Sequence, residues 1–283
     1  MEHHAHHQHV SEDEAGLAEI LDLDAEVLRP LLAEVTALLE GLAGDRPPRR
    51  ILDLGCGTGA GSLALLQRFG RAEVVAVDAS ASFLDHLREK ARELGLSDRV
   101  HTVEANLDGG WPPFGTVDLV WASASLHHLA DPDRGLREIF AALRPGGLLA
   151  VLELDSLPRF LPEDLGFGPP GFEERCRAAL AERNQHNVPH LGADWGPRLS
   201  QAGFTIKAER VLDFELAPPI PAAAERYAEA TLRRGGAHLR GGLSPEDQEV
   251  LDALLDENSP RHVLRRTDLT VRTTRKAWVA ERP

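Results

Sequence analysis

The chain has 283 residues, of which 42% are hydrophobic, and a formal net charge of −14 at pH 7. This length allows one large core, or one domain with additional elements. The acidic balance argues against a nucleic-acid partner, because phosphate binding needs clustered Lys and Arg. There is no apolar run that could span a bilayer, no segment typical of a signal peptide, and no disulfide framework from the two cysteines. We therefore expect a soluble cytoplasmic protein that binds neither nucleic acid nor membranes; its oligomeric state stays open.

The N-terminal residues are rich in histidine between positions 3 and 9. We predict a disordered tail over residues 1–12, which either has no role or binds divalent metals loosely. Elsewhere the sequence predicts no metal site. Residues 13–46 carry leucines at helical spacing and are predicted to be helical, ending before Pro47-Pro48.

From residue 47, predicted strands and helices alternate. The predicted strands are Arg50–Leu54, Glu73–Asp78, Val100–Glu104, Val117–Ala122 and Leu148–Glu153. The helices between them are predicted over Ser62–Phe69, Ser80–Leu94 and Pro132–Leu143. This alternation indicates an α/β fold with a parallel sheet and helices on both faces. After residue 155 the pattern changes to helices with two long alternating segments, Phe204–Leu216 and Leu269–Ala280, which we interpret as strands.

The most informative segment is the turn that follows the first predicted strand, Asp53-Leu54-Gly55-Cys56-Gly57-Thr58-Gly59. Its glycines remove side chains where the strand ends, so a ligand can lie directly on the backbone. The acid before the glycines favours a ligand with a cationic or amine group, because a phosphate would be repelled there. The turn also satisfies the dinucleotide pattern G-x-G-x-x-G/A, so by itself it leaves a nicotinamide-dependent oxidoreductase open.

Asp78, at the end of the second predicted strand, does not distinguish a nicotinamide dinucleotide from a ribose-containing ligand with a cationic or amine group. A carboxylate there can accept both hydroxyls of a ribose in either case. Alternatively, it caps the helix that follows.

Two later segments, which follow one another along the chain, distinguish between these two kinds of ligand. Residues 118–128 read D-x-V-x-x-x-x-x-L-H-H, and residues 143–148 read Leu-Arg-Pro-Gly-Gly-Leu. Together with the glycine turn, they resemble the class I S-adenosylmethionine (SAM) methyltransferases. The resemblance implies a Rossmann-like sheet of seven strands, with an antiparallel last strand inserted between strands five and six. It also implies a SAM-binding core over residues 47–155, a C-terminal part with helical insertions and the last two strands over 156–283, and a helical lid.

The resemblance also implies which residues hold SAM. Asp53 would lie by the amino-acid end of SAM, and Asn106 and Leu107 by its adenine. Asn106 stands where the family usually has Asp, and its side-chain oxygen can still accept a hydrogen bond from the adenine amine. The full set of implied cofactor-binding residues is Asp53, Gly55, Cys56, Gly57, Gly59, Asp78, Ala79, Asn106, Leu107 and Ser123.

The activity implied is methyl transfer to O, N or C of a small metabolite. His128, and then His127, are the candidates for a general base or a substrate contact; alternatively, they pack under the lid or bind the cofactor loop. Asp155 is expected to point toward the crevice above the sheet, whereas Glu153 is interpreted as a strand residue.

The lid is expected to select the substrate. An apolar wall could consist of Phe160, Phe167, Phe172, Trp195 and Tyr227. A carboxylate or phosphate of the substrate could be held by Arg233, Arg234, Arg265 and Arg266. Alternatively, these arginines only form solvated helix faces and salt bridges.

Two alternatives remain at this point. A nicotinamide-dependent oxidoreductase would have a sixth parallel strand, and a non-catalytic SAM-fold binding protein would bind the cofactor without turnover.

Overall fold

The computed structural model describes residues 2–184, 188–239 and 241–283, and side chains only from residue 14 onward, Asn184 excepted. The helices are α1 Glu2–Val27, α2 Arg29–Ala43, α3 Ala60–Arg68, α4 Ala81–Glu93, α5 Pro132–Ala142, α6 Phe172–Asn184, α7 Gly196–Gln201, α8 Ala222–Leu239 and α9 Pro245–Leu255. The strands are β1 Arg50–Leu54, β2 Glu73–Asp78, β3 Val100–Glu104, β4 Val117–Ser123, β5 Leu143–Leu154, β6 Thr205–Leu216 and β7 Val271–Glu281.

The chain forms two compact units. The sheet unit consists of Arg29–Ser156, His190–Leu212 and Thr274–Pro283. The helical unit consists of Met1–Leu28, Leu157–Pro189 and Asp213–Thr273. The helical lid and the segment boundaries given above remain predictions.

The sheet has seven strands in the order β3-β2-β1-β4-β5-β7-β6. Strands β1 to β5 pair in parallel with their neighbours. Strand β7 runs antiparallel to β5, from the pair Leu148–Glu281 to the pair Leu154–Arg275. Because crossovers between parallel strands are right-handed, α3 and α4 cover one face and α5 the other. The predicted seven-stranded sheet with its reversed last strand is thereby confirmed.

The core of the sheet unit lies on the central strands, which are apolar because both of their faces are covered. Leu52, Val120 and Leu149 are fully buried there. Trp195, just before α7, belongs to the same buried cluster as Leu199 and Trp278 and has 0% of its surface exposed. Trp195 therefore cannot line a substrate wall, and this expectation was wrong: its indole is needed to fill the core.

Strand β5 begins five residues earlier than predicted, at Leu143 rather than Leu148. The reason is a tertiary contact that the local sequence does not reveal. Gly146 donates a backbone hydrogen bond to Arg282 O at 2.7 Å, and Arg282 donates one to Gly147 O at 2.9 Å. The Pro-Gly-Gly segment is thus paired with the end of β7 and becomes part of the sheet.

The helical unit has a core of its own, in which α8 packs against α1, α6 and α9. Phe160 and Tyr227 meet edge to face with ring centroids 5.1 Å apart, and the Tyr227 hydroxyl donates to Asp24. Phe160, Phe172 and Tyr227 are at most 2% exposed, so they fill this core and, like Trp195, cannot line a substrate wall; the expectation was wrong for them as well.

Helix α1 begins at Glu2, where we predicted a disordered tail over residues 1–12. The side chains of this segment lie outside the described residues. Among the described helices, none is long and apolar enough to cross a membrane.

We predict that Gly61→Ala destabilises the sheet unit. A Cβ at Gly61 would lie 2.5 Å from Trp121 Nε1, and Trp121 is only 1% exposed. A buried indole cannot move aside freely, so the expected loss is about 1–3 kcal/mol. Urea unfolding measures it.

The matched control is Gly41→Ala, in α2, where no heavy atom lies within 4 Å of the added Cβ. This change is expected to leave stability unchanged or raise it by up to ~1 kcal/mol, because Ala favours helix. Equal stabilities of the two variants would contradict the prediction.

Candidate functional site

The turn between β1 and α3 is tightly packed. Gly55 and Gly59 have φ of +64° and +90°, in the left-handed region. A Cβ at Gly55 would lie 2.6 Å from Ser125 Cβ, and one at Gly59 would lie 2.2 Å from Leu87 Cδ1. Both positions therefore require glycine for packing, whether or not a ligand lies on the turn.

Backbone hydrogen bonds fix the turn to the neighbouring strand. Cys56 N donates to Val77 O at 3.0 Å, and Gly57 N donates to Asp78 Oδ2 at 2.9 Å. Burial, together with the nearby carboxylates of Asp53 and Asp78, raises the pKa of the Cys56 thiol well above its usual value. Cys56 is therefore a protonated, inert packing residue at neutral pH.

Asp78 connects the ends of β1 and β2. Besides Gly57 N, its carboxylate accepts a hydrogen bond from Ser80 N at 2.9 Å, at the start of α4. Asp78 is half-buried. Each carboxylate oxygen has two acceptor positions, so one position per oxygen is left for a ligand hydroxyl. The capping role is thus present, and it does not exclude the predicted contact with ribose.

Asp53 is a buried carboxyl below the turn, with 2% of its surface exposed. Its Oδ2 accepts a hydrogen bond from Ser62 Oγ at 2.6 Å. Burial raises the pKa of Asp53 to about 7; the hydrogen bond from Ser62 opposes this shift and the charge of Asp78 adds to it. A group in this state favours a cation beside it, because the cation would compensate the buried charge.

The predicted adenine contacts lie after β3. Asn106 is exposed, and its Oδ1 accepts a hydrogen bond from Asp108 N at 3.0 Å, which forms an Asx turn. Asp108 in turn accepts from Ala130 N at 3.0 Å and so fixes this loop to the one after β4. Leu107 is half-buried beside them.

Two further cofactor candidates lie at the same edge of the sheet. Ala79 is exposed after β2, and Ser123, the last residue of β4, is half-buried. The structure therefore places the whole predicted set at the carboxyl ends of β1 to β4, within the sheet unit. Ligands of open α/β sheets bind at this edge.

The histidine pair lies on one helical turn, Leu126–His128, directly after β4. His127 is buried, and its Nδ1 lies 2.5 Å from Glu153 Oε2. Glu153 Oε1 accepts two further hydrogen bonds, from Ser125 N at 3.2 Å and Leu126 N at 2.9 Å. The sequence predicts Glu153 only as a strand residue, and the one signal of a further role is that it is the single acid within the apolar run 148–154.

His128 is exposed, and its ring centroid is 4.2 Å from that of His127. The surrounding protein removes part of the water around its ring, and this lowers the pKa of His128, as does the neighbouring His127. His128 is therefore neutral at neutral pH and has a lone pair available. His190, which sequence analysis did not single out, has a pKa lowered by burial, by Arg198 and by His127.

The arginines proposed for anion binding are mostly engaged locally in the helical unit. Arg233 pairs with Glu229 at 2.6 Å, and Arg266 pairs with Asp268 at 2.7 Å. Arg265 donates to Glu257 O at 2.8 Å. Arg233 and Arg265 are exposed, which fits the role of solvated surface residues, whereas the Arg266 side chain is only 11% exposed and its ion pair is a local structural contact. In the sheet unit, Asp155 pairs with Lys276 at 2.6 Å.

We predict that Asp53→Asn is more stable than the parent protein at pH 8. The unfolded carboxyl loses its proton near pH 3.8 and the folded one near pH 7, so stability falls as pH rises between these values. A difference of about three pKa units corresponds to roughly 4 kcal/mol, the upper limit of the gain at pH 8. At pH 4 the two proteins should be equally stable. Urea unfolding at both pH values measures this.

Asp118→Asn is the control, for which the change in stability at pH 8 should have the opposite sign. Partial burial raises the pKa of Asp118, but hydrogen bonds from Arg50, Arg144 and Arg49 outweigh it and hold that pKa below its usual value. This carboxylate stabilises the fold when ionised, so its loss should lower stability at pH 8. A gain for both variants, or for neither, would refute the assignment for Asp53.

Comparison with known proteins agrees with this geometry. A family described as a methyltransferase domain matches residues 51–147. The trans-aconitate 2-methyltransferase of Rhodopseudomonas palustris (strain BisB18) is 34% identical over 177 residues, which cover 61% of this chain and 66% of that protein. The ubiquinone/menaquinone biosynthesis C-methyltransferase UbiE of Vibrio vulnificus (strain YJ016) is 38% identical over 121 residues, 42% of this chain and 46% of that protein. The chain thus spans less than the full length of both relatives.

Among solved structures, a Bacillus halodurans C-125 protein provisionally classed as a methyltransferase superposes with a TM-score of 0.56. The alignment covers 88% of this chain and 98% of that one at 19% identity, and so shows a common fold. The chain therefore belongs to the class I SAM-dependent methyltransferases, whose domain it carries over residues 51–147.

Proposed function

We propose that this protein transfers a methyl group from SAM to O, N or C of a small molecule. The observation that carries the proposal is the position of the Asp78 carboxylate. It binds the backbone of the glycine turn at Gly57 and keeps acceptor positions free at the edge where this family holds its cofactor. A ribose diol fits such a carboxylate, and the bare turn fits a ligand that lies on the backbone.

The residues that would hold SAM are those of the predicted set, Asp53, Gly55, Cys56, Gly57, Gly59, Asp78, Ala79, Asn106, Leu107 and Ser123. Their chemistry fits the group: Asp53 supplies a carboxyl that gains from a nearby cation, and Asp78 supplies acceptors. When bound, SAM supplies an electrophilic methyl on a sulfonium. Cys56 and Gly59 are buried, so they act by shaping the turn.

His128 is the proposed general base. It is exposed at the same edge of the sheet and neutral at neutral pH, so it can accept the proton that a substrate nucleophile loses. The nucleophile gains the methyl group and its proton passes to His128, while the electron pair of the broken carbon–sulfur bond stays on sulfur. His127 is buried by comparison and cannot take this role directly.

The oxidoreductase alternative requires a sixth parallel strand, and the antiparallel pairing of β7 with β5 contradicts it. The substrate class comes from the relatives. One acts on trans-aconitate and another is a C-methyltransferase of quinone biosynthesis, so carboxylic acids and phenols head the panel to be tested.

Calorimetry with SAM, its demethylated product and NAD tests cofactor choice, and transfer of labelled methyl groups to carboxylic acids, phenols and amines tests the reaction. We expect binding of SAM and its product but not of NAD, together with turnover on at least one class. SAM binding without any turnover would favour a non-catalytic binding protein. Absence of SAM binding would refute the proposal.

We predict that Asp78→Asn weakens SAM binding by about 1–3 kcal/mol, because one charged acceptor pair is lost. Calorimetry measures the change. The matched control is Asp85→Asn on α4, an exposed carboxylate paired with Arg88, which should leave the affinity unchanged. Equal affinities for all three proteins would remove Asp78 from the site.

We also predict that His128→Ala lowers turnover by about 10²-fold or more, the usual contribution of a general base, and changes SAM affinity little. Steady-state kinetics and calorimetry on the same preparation separate the two effects. His86→Ala, at an exposed position of α4, is the control and should keep full activity. Unchanged turnover in the His128 variant would show that the reaction needs no base at this position.

A further inference from the structure

The proposed reaction leaves one buried carboxylate without a direct part. Glu153 is 2% exposed and lies one residue before the end of β5. It accepts hydrogen bonds from Ser125 N, Leu126 N and the imidazole of His127. A buried carboxylate is costly unless its acceptor positions are used, and here one side chain satisfies three donors of the same turn.

These hydrogen bonds define the tautomer of His127. An ionised carboxylate can only accept, so Nδ1 of His127 must carry the hydrogen that lies between them. When His127 is neutral, its Nε2 is therefore the acceptor nitrogen. Replacement of the carboxylate by an amide would offer a donor to Nδ1 and would favour the other tautomer.

The same contacts determine where His128 lies. Ser125 and Leu126 begin the turn, His127 forms its middle, and the ring of His128 stands against that of His127 at 4.2 Å. The titratable groups that act on His128 are His127, Glu153 and Asp78, and His127 also lowers the pKa of His190. Two carboxylates thus favour the protonated form of His128, and His127 opposes it.

We propose that Glu153 is the positioning residue of this site: it holds the turn after β4 and the tautomer of His127, and through them presents His128 to the substrate. The inference rests on the proposed function, since it takes His128 to be the proton acceptor. Glu153 itself does not touch substrate or cofactor. It orients an imidazole as the outer carboxylates of metal-bound histidines do, and the loss of such a carboxylate costs about 10–100-fold in those sites.

The test is Glu153→Gln. The amide keeps the size of the side chain, and its oxygen can still accept from Ser125 N and Leu126 N. We expect kcat per folded molecule to fall about 10–100-fold, with the Kd of SAM unchanged within about twofold. The acidic limb of the pH–rate profile should move to lower pH, because a negative charge near His128 is lost.

Nitrogen-15 NMR of the imidazoles gives a readout that a purely structural role would not move. In the parent protein the hydrogen of His127 should reside on Nδ1, and in Glu153→Gln on Nε2. The titration midpoint of His128 should move to lower pH in the same variant. Glu153→Asp keeps the charge and should restore both the tautomer and part of kcat.

Glu104→Gln is the control, since Glu104 is an exposed acid at the end of β3. If Glu153→Gln does not fold, His127→Phe replaces it: the ring remains, the hydrogen bond to Glu153 is lost, and kcat should fall with SAM binding kept. Unchanged kcat, tautomer and titration in a folded Glu153→Gln protein would overturn the inference. Absence of turnover in the parent protein would instead refute the proposed function. The two failures can be told apart, because the NMR measurements test the Glu153 contacts without any need for enzyme activity.

Discussion

The turn between β1 and α3 leaves no room for side chains at Gly55 and Gly59, and this crowding brings its neighbours close to the candidate site. Ser125, after β4, lies against Gly55, and Leu87 of α4 lies against Gly59. The turn can approach both neighbours closely only because glycine occupies these positions. Because β2, β1 and β4 are neighbouring parallel strands, their carboxyl ends lie at one edge, and the residues that follow those strands become neighbours although the sequence separates them widely.

Three carboxyl groups support that edge, and each is stabilised differently. Asp78 accepts two backbone hydrogen bonds and remains half-buried, so it can also meet a ligand. Asp53 is buried with a single hydroxyl donor, and its pKa is raised accordingly. Glu153 is buried with three donors. Asp53 therefore destabilises the folded protein when ionised, which is the behaviour expected of a group retained for binding.

The two histidines of the sequence motif have different parts because of their surroundings. His127 points inward to Glu153, whereas His128 remains exposed with a lowered pKa. Adjacent residues on a short helical turn face different directions, so one anchors the turn and the other can meet a substrate. In the helical unit, three of the arginines that the sequence offered for anion binding already serve local contacts.

The sequence predicts the order of strands and helices, the glycine turn and the family, because these depend on local patterns such as apolar runs, turn residues and motif spacing. It also predicted the reversed last strand, through the resemblance. Three features follow from long-range contacts instead: Trp195 fills the core, the Pro-Gly-Gly segment joins β5, and Glu153 holds His127. Each of these depends on a partner more than 20 residues away along the chain, and local periodicity carries no information about such partners.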